Sequence, residues 1–230
     1  VDRLLAEDHQ VDVVDDLSSG TLGNLAEARS VGGALKIHHL DAASPEAASL
    51  IGMRQPDVIY HLALFPSCGA GTTPGEGSAG GAGMSTVSTA ELGLGFTRSL
   101  AIIDAARQHG VGKIVGALPA NVLYGFPAAN SLPVKEADQV PRGVRGVVAR
   151  SVLDLLTVYR ENDMVEFAAL ALTSVYGPRQ SAEGGVVAAF KSAIDAGRPP
   201  VFHGDGRQTR DFVFIDDVVD ALVRAAARSS

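Results

Sequence analysis

Asp57-Val58-Ile59-Tyr60-His61-Leu62-Ala63-Leu64 decides the fold class. It is a nearly unbroken apolar run, where a half-exposed strand would alternate apolar with polar residues. A strand of this kind is covered on both faces, as in a parallel sheet held between two layers of helices. Outward from it the same grammar repeats. Upstream, Gln10–Val14 reads as a short strand ending in Asp15-Asp16, and Leu35–His39 as another, followed by Asp41. Val1–Glu7 reads as the end of an amphipathic helix with Val1, Leu4 and Leu5 on one face. Downstream come a helix at Leu100–His109 closed by Gly110, a strand opening at Lys113–Val115, a helix at Leu153–Asn162 and a strand at Val165–Leu172. A helix at Val186–Ala196, stopped by Gly197 and Pro199, a strand at Phe212–Ile215 and a last helix at Asp217–Arg228 complete the series. Such alternation predicts an α/β fold, a doubly wound parallel sheet with helices on both faces. The strands Gln10–Val14, Leu35–His39, Asp57–His61 and Lys113–Val115 are expected in one sheet. Cys68–Ser99, rich in Gly, Ala, Ser and Thr, breaks the pattern and argues against regular structure there.

Composition narrows the function classes. The 230 residues are 46% hydrophobic and carry a net charge of −7. That suffices for one large domain, or one and a fraction, and excludes a disordered chain. No apolar run approaches the ~18 residues that a membrane span needs; Gly184–Ile194 is interrupted by Lys191. With no basic cluster, a nucleic-acid partner has no electrostatic support. The single cysteine, Cys68, excludes a disulfide framework and fits a reducing, cytoplasmic setting. The opening Val1-Asp2-Arg3, within a helical pattern, reads as no signal peptide. Six histidines and one cysteine fall at no metal-ligand spacing, and the adjacent His38 and His39 would face opposite sides of a strand, so no metal site is expected.

In a doubly wound sheet, ligands bind outside the carboxyl ends of the strands. In the Rossmann form a Gly-rich first turn holds a dinucleotide pyrophosphate, and an acid about 20 residues on accepts hydrogen bonds from the ribose hydroxyls. Asp15 stands where that acid belongs. A carboxylate there favours NAD and repels the 2′-phosphate of NADP. A solvated strand-end Asp is the other reading, and the residue alone does not choose between them. No GxxGxxG-like run opens a helix at the right place; Gly69–Gly83 follows Cys68 instead, and the loop is expected upstream of Val1. In the strand order 3-2-1-4-5-6, a further strand would then stand between Gln10–Val14 and Asp57–His61.

Five segments, in order along nearly the whole chain, resemble the extended short-chain dehydrogenase/reductases of the nucleotide-sugar epimerase/dehydratase family. Val13–Gly20 (VVDDLSSG) resembles the family's ribose-binding VDNLSSG, and Asp57–Leu64 its DxVxHLAA strand. Val122–Gly125 (VLYG) resembles the VYG after the catalytic Ser/Thr, and Ala171–Gln180 (ALTSVYGPRQ) resembles RxxNVYGPRQ. Gly204–Leu222 (GDGRQTRDFVFIDDVVDAL) resembles the C-terminal GDGxxxRDFxxVxDxxxA element. The resemblance implies NAD as cofactor and a UDP- or dTDP-sugar as substrate, with a homodimer as the assembly. It implies that Asp15, Asp16, Leu17 and Ser18 line the adenosine ribose, and that Asp41 and Ala42 flank the adenine. Leu62, Ala63 and Leu64 would lie along the pyrophosphate and nicotinamide ribose. Ser174, where the family has Asn, and Arg210 would meet the sugar nucleotide, Arg210 through a bidentate contact to the diphosphate. A surface ion pair of Arg210 with Asp211 or Asp216 is its other reading. Residues 1–165 are expected to form the NAD-binding Rossmann domain, without its first strand and Gly-rich loop. Residues 166–230 are expected to mix the Rossmann end with part of a small substrate lobe.

The family's chemistry uses a Tyr whose pKa is lowered by a Lys four residues on, together with a Ser or Thr. This sequence contains no Tyr-x-x-x-Lys. One register places Arg145 and Ala149 at those positions, and a one-residue slip places Gly146 and Arg150 there. The hydroxyl position falls near Ala120. No catalytic residue is therefore assigned, and a nucleotide-binding or interaction protein without turnover stands as the alternative function.

Overall fold

A computed structural model describes the chain except at residues 19, 32–33, 64–88, 126, 129–130, 163, 182–183, 203, 208 and 229–230. The alternation read from the sequence is present: α1 (Asp2–Ala6), β1 (Val11–Asp15), a 3-10 turn (Leu22–Leu25), α2 (Ala26–Val31), β2 (Leu35–His39), α3 (Pro45–Arg54), β3 (Val58–His61), α4 (Thr89–Gln108) and β4 (Lys113–Pro119). There follow α5 (Ala120–Tyr124), α6 (Gly143–Glu161), β5 (Glu166–Leu172), β6 (Ser174–Tyr176), α7 (Val186–Asp195), β7 (Phe212–Phe214) and α8 (Ile215–Ala227). Every strand pairing is parallel.

The strands expected in one sheet lie in two. β1 pairs with β2, while β3, β4 and β5 form a second sheet in that order, and β6 with β7 a third. β1 and β3 are not hydrogen-bonded to each other, as the strand order above requires. β1 satisfies one edge through β2 in register Val11 with Leu35 to Asp15 with His39, and β3 satisfies one edge through β4, so among the described strands the facing edges of β1 and β3 have no strand partner.

β4 is the core of the second sheet, and its two faces show why an unbroken apolar strand means helices on both sides. Ile114 and Leu118 face a cluster built from Ile102, Ile103 and Ala106 of α4, Leu123 of α5, and Ala149, Val152 and Leu156 of α6. Val115, pointing the other way, packs on Val218 and Leu222 of α8. Lys113 is buried on that second face, and its ammonium is satisfied by the Arg228 carbonyl at the C-terminus of α8. A lysine suits that place because the last carbonyls of a helix lack intrahelical donors.

Two helices, α4 and α6, begin earlier than the sequence suggested, and α3 was not read from it. α3 begins at Ser44-Pro45, with the Ser44 hydroxyl accepting from the Ala47 amide at 3.1 Å and Pro45 in the first turn. α4 starts at Thr89, so part of the Gly-rich stretch read as irregular is helical; Cys68 and the rest of it up to residue 88 lie outside the described residues. α6 starts ten residues before Leu153, the start read from the sequence. Its inner face is Gly146, Ala149, Val152 and Leu156, all buried. A Cβ on Gly146 would stand 2.6 Å from the Val122 carbonyl oxygen, so the close approach of α6 to α5 depends on glycine there. Gly177, with φ +154, has the same function against α8, where a Cβ would meet the Ile215 side chain at 2.3 Å.

Candidate functional site

The carboxyl ends of β1 and β2 carry the acidic residues singled out in the sequence. Asp15 is the last residue of β1, and its Oδ1 accepts from the Leu17 amide at 2.7 Å. Leu17 takes a left-handed φ of 53 to make that tight turn. Asp16 turns the other way: its Oδ1 accepts from the Ser18 amide at 3.0 Å and the Ser18 hydroxyl at 2.6 Å. Its backbone carbonyl meets His39 Nε2 at 3.0 Å, while His38 Nε2 bonds Asp12 at 2.7 Å, so the two histidines do face opposite ways. Beyond β2, Asp41 Oδ1 accepts from the Ala43 amide at 2.8 Å and leads the chain past Ala42 into α3.

Sequence reasoning missed the residue that joins these loops. Arg98 on α4 donates from Nη2 to Asp16 Oδ2 at 2.6 Å and to Asp41 Oδ2 at 2.6 Å, and from Nε to Asp41 Oδ1 at 3.0 Å. It lies 57 and 82 residues from its partners, in the stretch read as irregular, so no local pattern could reveal it. The Ser18 and Arg98 contacts hold the Asp16 carboxyl below its ordinary range; the Arg98 contact, then the Ala43 amide, does the same for Asp41. The carboxylates in turn raise the Arg98 guanidinium.

The next residue of α4, Ser99, is fully buried and serves the other sheet. Its hydroxyl donates to the Gly95 carbonyl at 2.9 Å, so at 3.1 Å it accepts from His61 Nε2 at the end of β3. Burial lowers the His61 pKa to about 4, so the ring is neutral. Leu62 and Ala63 follow, both exposed at the strand end, and Leu64 lies outside the described residues. Two neighbouring residues of one helix thus tie the carboxyl ends of β1, β2 and β3.

The adenosine half of an NAD molecule fits this donor set. Asp15 Oδ1 is engaged by its own turn, and Oδ2 lies 3.5 Å from where a Cβ on Gly20 would stand. That oxygen offers acceptor capacity suited to a ribose diol. Asp15, Asp16 and Asp41 together carry enough negative charge to disfavour a 2′-phosphate.

The profile of the NAD dependent epimerase/dehydratase family matches residues 90–230. A UDP-glucose 4-epimerase of Mycolicibacterium smegmatis is 37% identical over 98% of this chain and 68% of its own length. The chain belongs to the NAD-dependent epimerase/dehydratase family. NAD is the cofactor of that family, and its Rossmann-type fold is seen in solved relatives. The UDP-glucose 4-epimerase of Thermotoga maritima, solved with UDP-glucose, superposes with a TM-score of 0.80 at 25% identity, over 96% of this chain and 67% of that one. A Thermus thermophilus UDP-glucose 4-epimerase complexed with NAD shares the fold at a TM-score of 0.79 and 23% identity, over 99% of this chain and 70% of that one.

Where the family's catalytic residues are expected, the side chains are of another kind. Ala120 stands at the junction of β4 and α5 and offers no hydroxyl. In one register the lysine position is Ala149, fully buried in the core. In the other, the tyrosine position is Gly146, where even a Cβ does not fit, and Arg150 is ion-paired with Asp154 at 2.7 Å on the surface. Ser174 and Arg210 occupy the β6–β7 region. The Ser174 amide donates to the Asp211 carbonyl at 2.9 Å, and Arg210 is exposed, with Nη1 donating to its neighbour Thr209 at 3.2 Å. Among the described residues Arg210 makes no ion pair with Asp211 or Asp216, against the surface-pair reading. Arg179, from the VYGPRQ segment, bonds Asp2 at 2.6 Å and the Asn24 carbonyl at 2.9 Å, joining this region to α1 and the 3-10 turn. Among the described residues no group of His, Cys, Asp or Glu could hold a metal, and no helix is long and apolar enough to cross a membrane.

Proposed function

We propose that this chain binds NAD and a UDP-sugar as a member of the UDP-glucose 4-epimerase branch of its family. The observation that carries the proposal is the set of carboxylates at the ends of β1 and β2, in a chain 37% identical to such an epimerase over nearly its whole length. Asp15, with Asp16, Leu17 and Ser18, holds the adenosine ribose, and Asp41 with Ala42 borders the adenine. Leu62 to Leu64 run along the rest of the dinucleotide. Arg210 and Ser174 meet the sugar nucleotide; an exposed guanidinium that has no carboxylate partner among the described residues suits a diphosphate. NAD, when bound, supplies the hydride acceptor for the sugar carbon.

A second reading, nucleotide binding without turnover, is favoured by one observation. Neither candidate register places a phenol and an ammonium together: one has Arg145 with the fully buried Ala149, and the other has Gly146, where even a Cβ does not fit, with Arg150. We extend the proposal to a UDP- rather than dTDP-sugar, a reducing cytoplasmic setting consistent with one cysteine, and a homodimer supported by exposed Val144, Val147 and Val158 on α6. Calorimetric titration tests the binding claim. UDP-glucose and NAD should both bind, and Arg210→Ala should weaken UDP-glucose while leaving NAD unchanged. Wild-type affinity for UDP-glucose in Arg210→Ala removes that residue from the site.

A further inference from the structure

Arg98 links two loops that the sequence treats separately. Its guanidinium takes both oxygens of Asp41 and one of Asp16, which is the fork geometry an arginine offers and a lysine does not. The Arg98 side chain is 21% exposed and those of Asp16 and Asp41 are 27% and 39% exposed, so solvent screens these contacts only in part. Its backbone is anchored by the neighbouring Ser99, locked to His61 at the end of β3. We propose that Arg98 is a positioning and specificity-determining residue for the dinucleotide. It fixes the β1 and β2 loops relative to each other so that Asp15 and Asp41 present acceptors to the adenosine, and its charge sets how strongly a 2′-phosphate is rejected. This rests on the reading that the adenosine lies at Asp15.

The acceptor count agrees. An ionised carboxylate has about four lone-pair sites. Asp41 Oδ1 accepts from the Ala43 amide and Arg98 Nε, and Oδ2 accepts from Arg98 Nη2 and, at 3.2 Å, from the same Nε hydrogen, so a site opens on Oδ2 for an amino donor such as that of adenine when the shared Nε hydrogen stays on Oδ1. The charge balance agrees too. Asp15, Asp16 and Asp41 carry three negative charges, and Arg98 reduces the local sum to two. Without Arg98 the site repels an added phosphate more strongly, and the two loops lose their common tie.

The test is calorimetric titration of the 230-residue chain with NAD and NADP, in wild type, Asp15→Ala, Arg98→Gln and Arg98→Lys. We expect Arg98→Gln to weaken NAD about tenfold, the scale of one charge-assisted hydrogen bond, and NADP by more. Arg98→Lys should bring the NADP-to-NAD ratio back towards wild type, because the charge returns. It should leave NAD weak, because an ammonium cannot span both carboxylates. A structural tie alone would lower the melting temperature of both variants without moving either affinity or the ratio, and that result overturns the inference. If Asp15→Ala loses NAD while Arg98→Gln binds both dinucleotides as wild type does, the inference fails and the cofactor site stands. If Asp15→Ala binds NAD normally, or the wild type binds no NAD, the site reading fails and the inference with it. Should Arg98→Gln not fold, Arg98→Lys decides: unchanged NAD affinity there overturns the positioning role.

Discussion

Asp15 and Gly146 show how much one position can carry. Asp15 should contribute to NAD through its free carboxylate oxygen, so Asp15→Ala should weaken NAD by tenfold or more, roughly the worth of a charged hydrogen bond, while NADP changes little. Equal losses for both dinucleotides, measured by calorimetry, would take the ribose contact away from Asp15. Gly146→Ala tests the packing of α6 on α5. With 2.6 Å to the Val122 carbonyl, the methyl group forces a backbone shift, and we expect a loss of about 1–3 kcal/mol in chemical denaturation. An unchanged midpoint would mean that α6 moves away freely. Asp15 was legible because the end of a strand and an acid are adjacent in sequence. Arg98 was not, because its partners lie far along the chain and its own surroundings, Gly93 to Ser99, look like a linker.

At the scale of elements, α4 illustrates tertiary contacts overriding propensity. Gly93 and Gly95 each disfavour a helix by about 1 kcal/mol relative to alanine, which is why the stretch reads as loop. Leu92 and Ser99 are buried, and the Ser99–His61 and Arg98–carboxylate bonds reward the helical register that makes them. The unbroken apolar strands and the amphipathic helix α8 needed no such help. α3 could have been read from Ser44-Pro45-Glu46, a cap followed by proline and an acid in the first turn; Ser44→Ala should cost about 1 kcal/mol. The α4–β3 tie also has a pH signature. His61 is neutral when buried, with its pKa lowered from 6.5 to about 4, so the folded state resists a proton that the unfolded chain accepts. Its contribution is whole above pH 6.5 and drains as pH falls towards about 4, by roughly 3 kcal/mol. His61→Gln should flatten the stability–pH curve across that window. An unchanged slope would place the proton uptake elsewhere. The lowered Asp16 and Asp41 act at lower pH: their contribution is complete above the ordinary carboxylate value of 3.8 and is lost as pH falls below it.

For the whole molecule, the parallel α/β architecture, the family and the gap between β1 and β3 were readable from ordered motifs and the strand order they imply, whereas the separate pairing of β6 with β7 was not. Periodicity reports which faces are buried but not which strands are neighbours. The same limit applies to the active site: a missing Tyr-x-x-x-Lys is plain in the sequence, and only packing shows that Ala149, the lysine position of one register, is fully buried and that Gly146, the tyrosine position of the other, has no room for a Cβ. On the proposed reading, the chain keeps the nucleotide end of the family's site without its general base. Hydride removal from a sugar carbon requires loss of the hydroxyl proton, and a positioned base is worth roughly 10²–10⁴ in rate. Arg145 cannot serve as that base, because a guanidinium offers N–H donors and no acceptor for a proton. The most direct measurement is to mix the chain with NAD and UDP-galactose, at concentrations where calorimetry shows both bound, and follow UDP-glucose. The account predicts binding without UDP-glucose formation at a rate typical of the family; a substantial rate that survives Arg145→Ala would contradict it and show that another residue removes the proton.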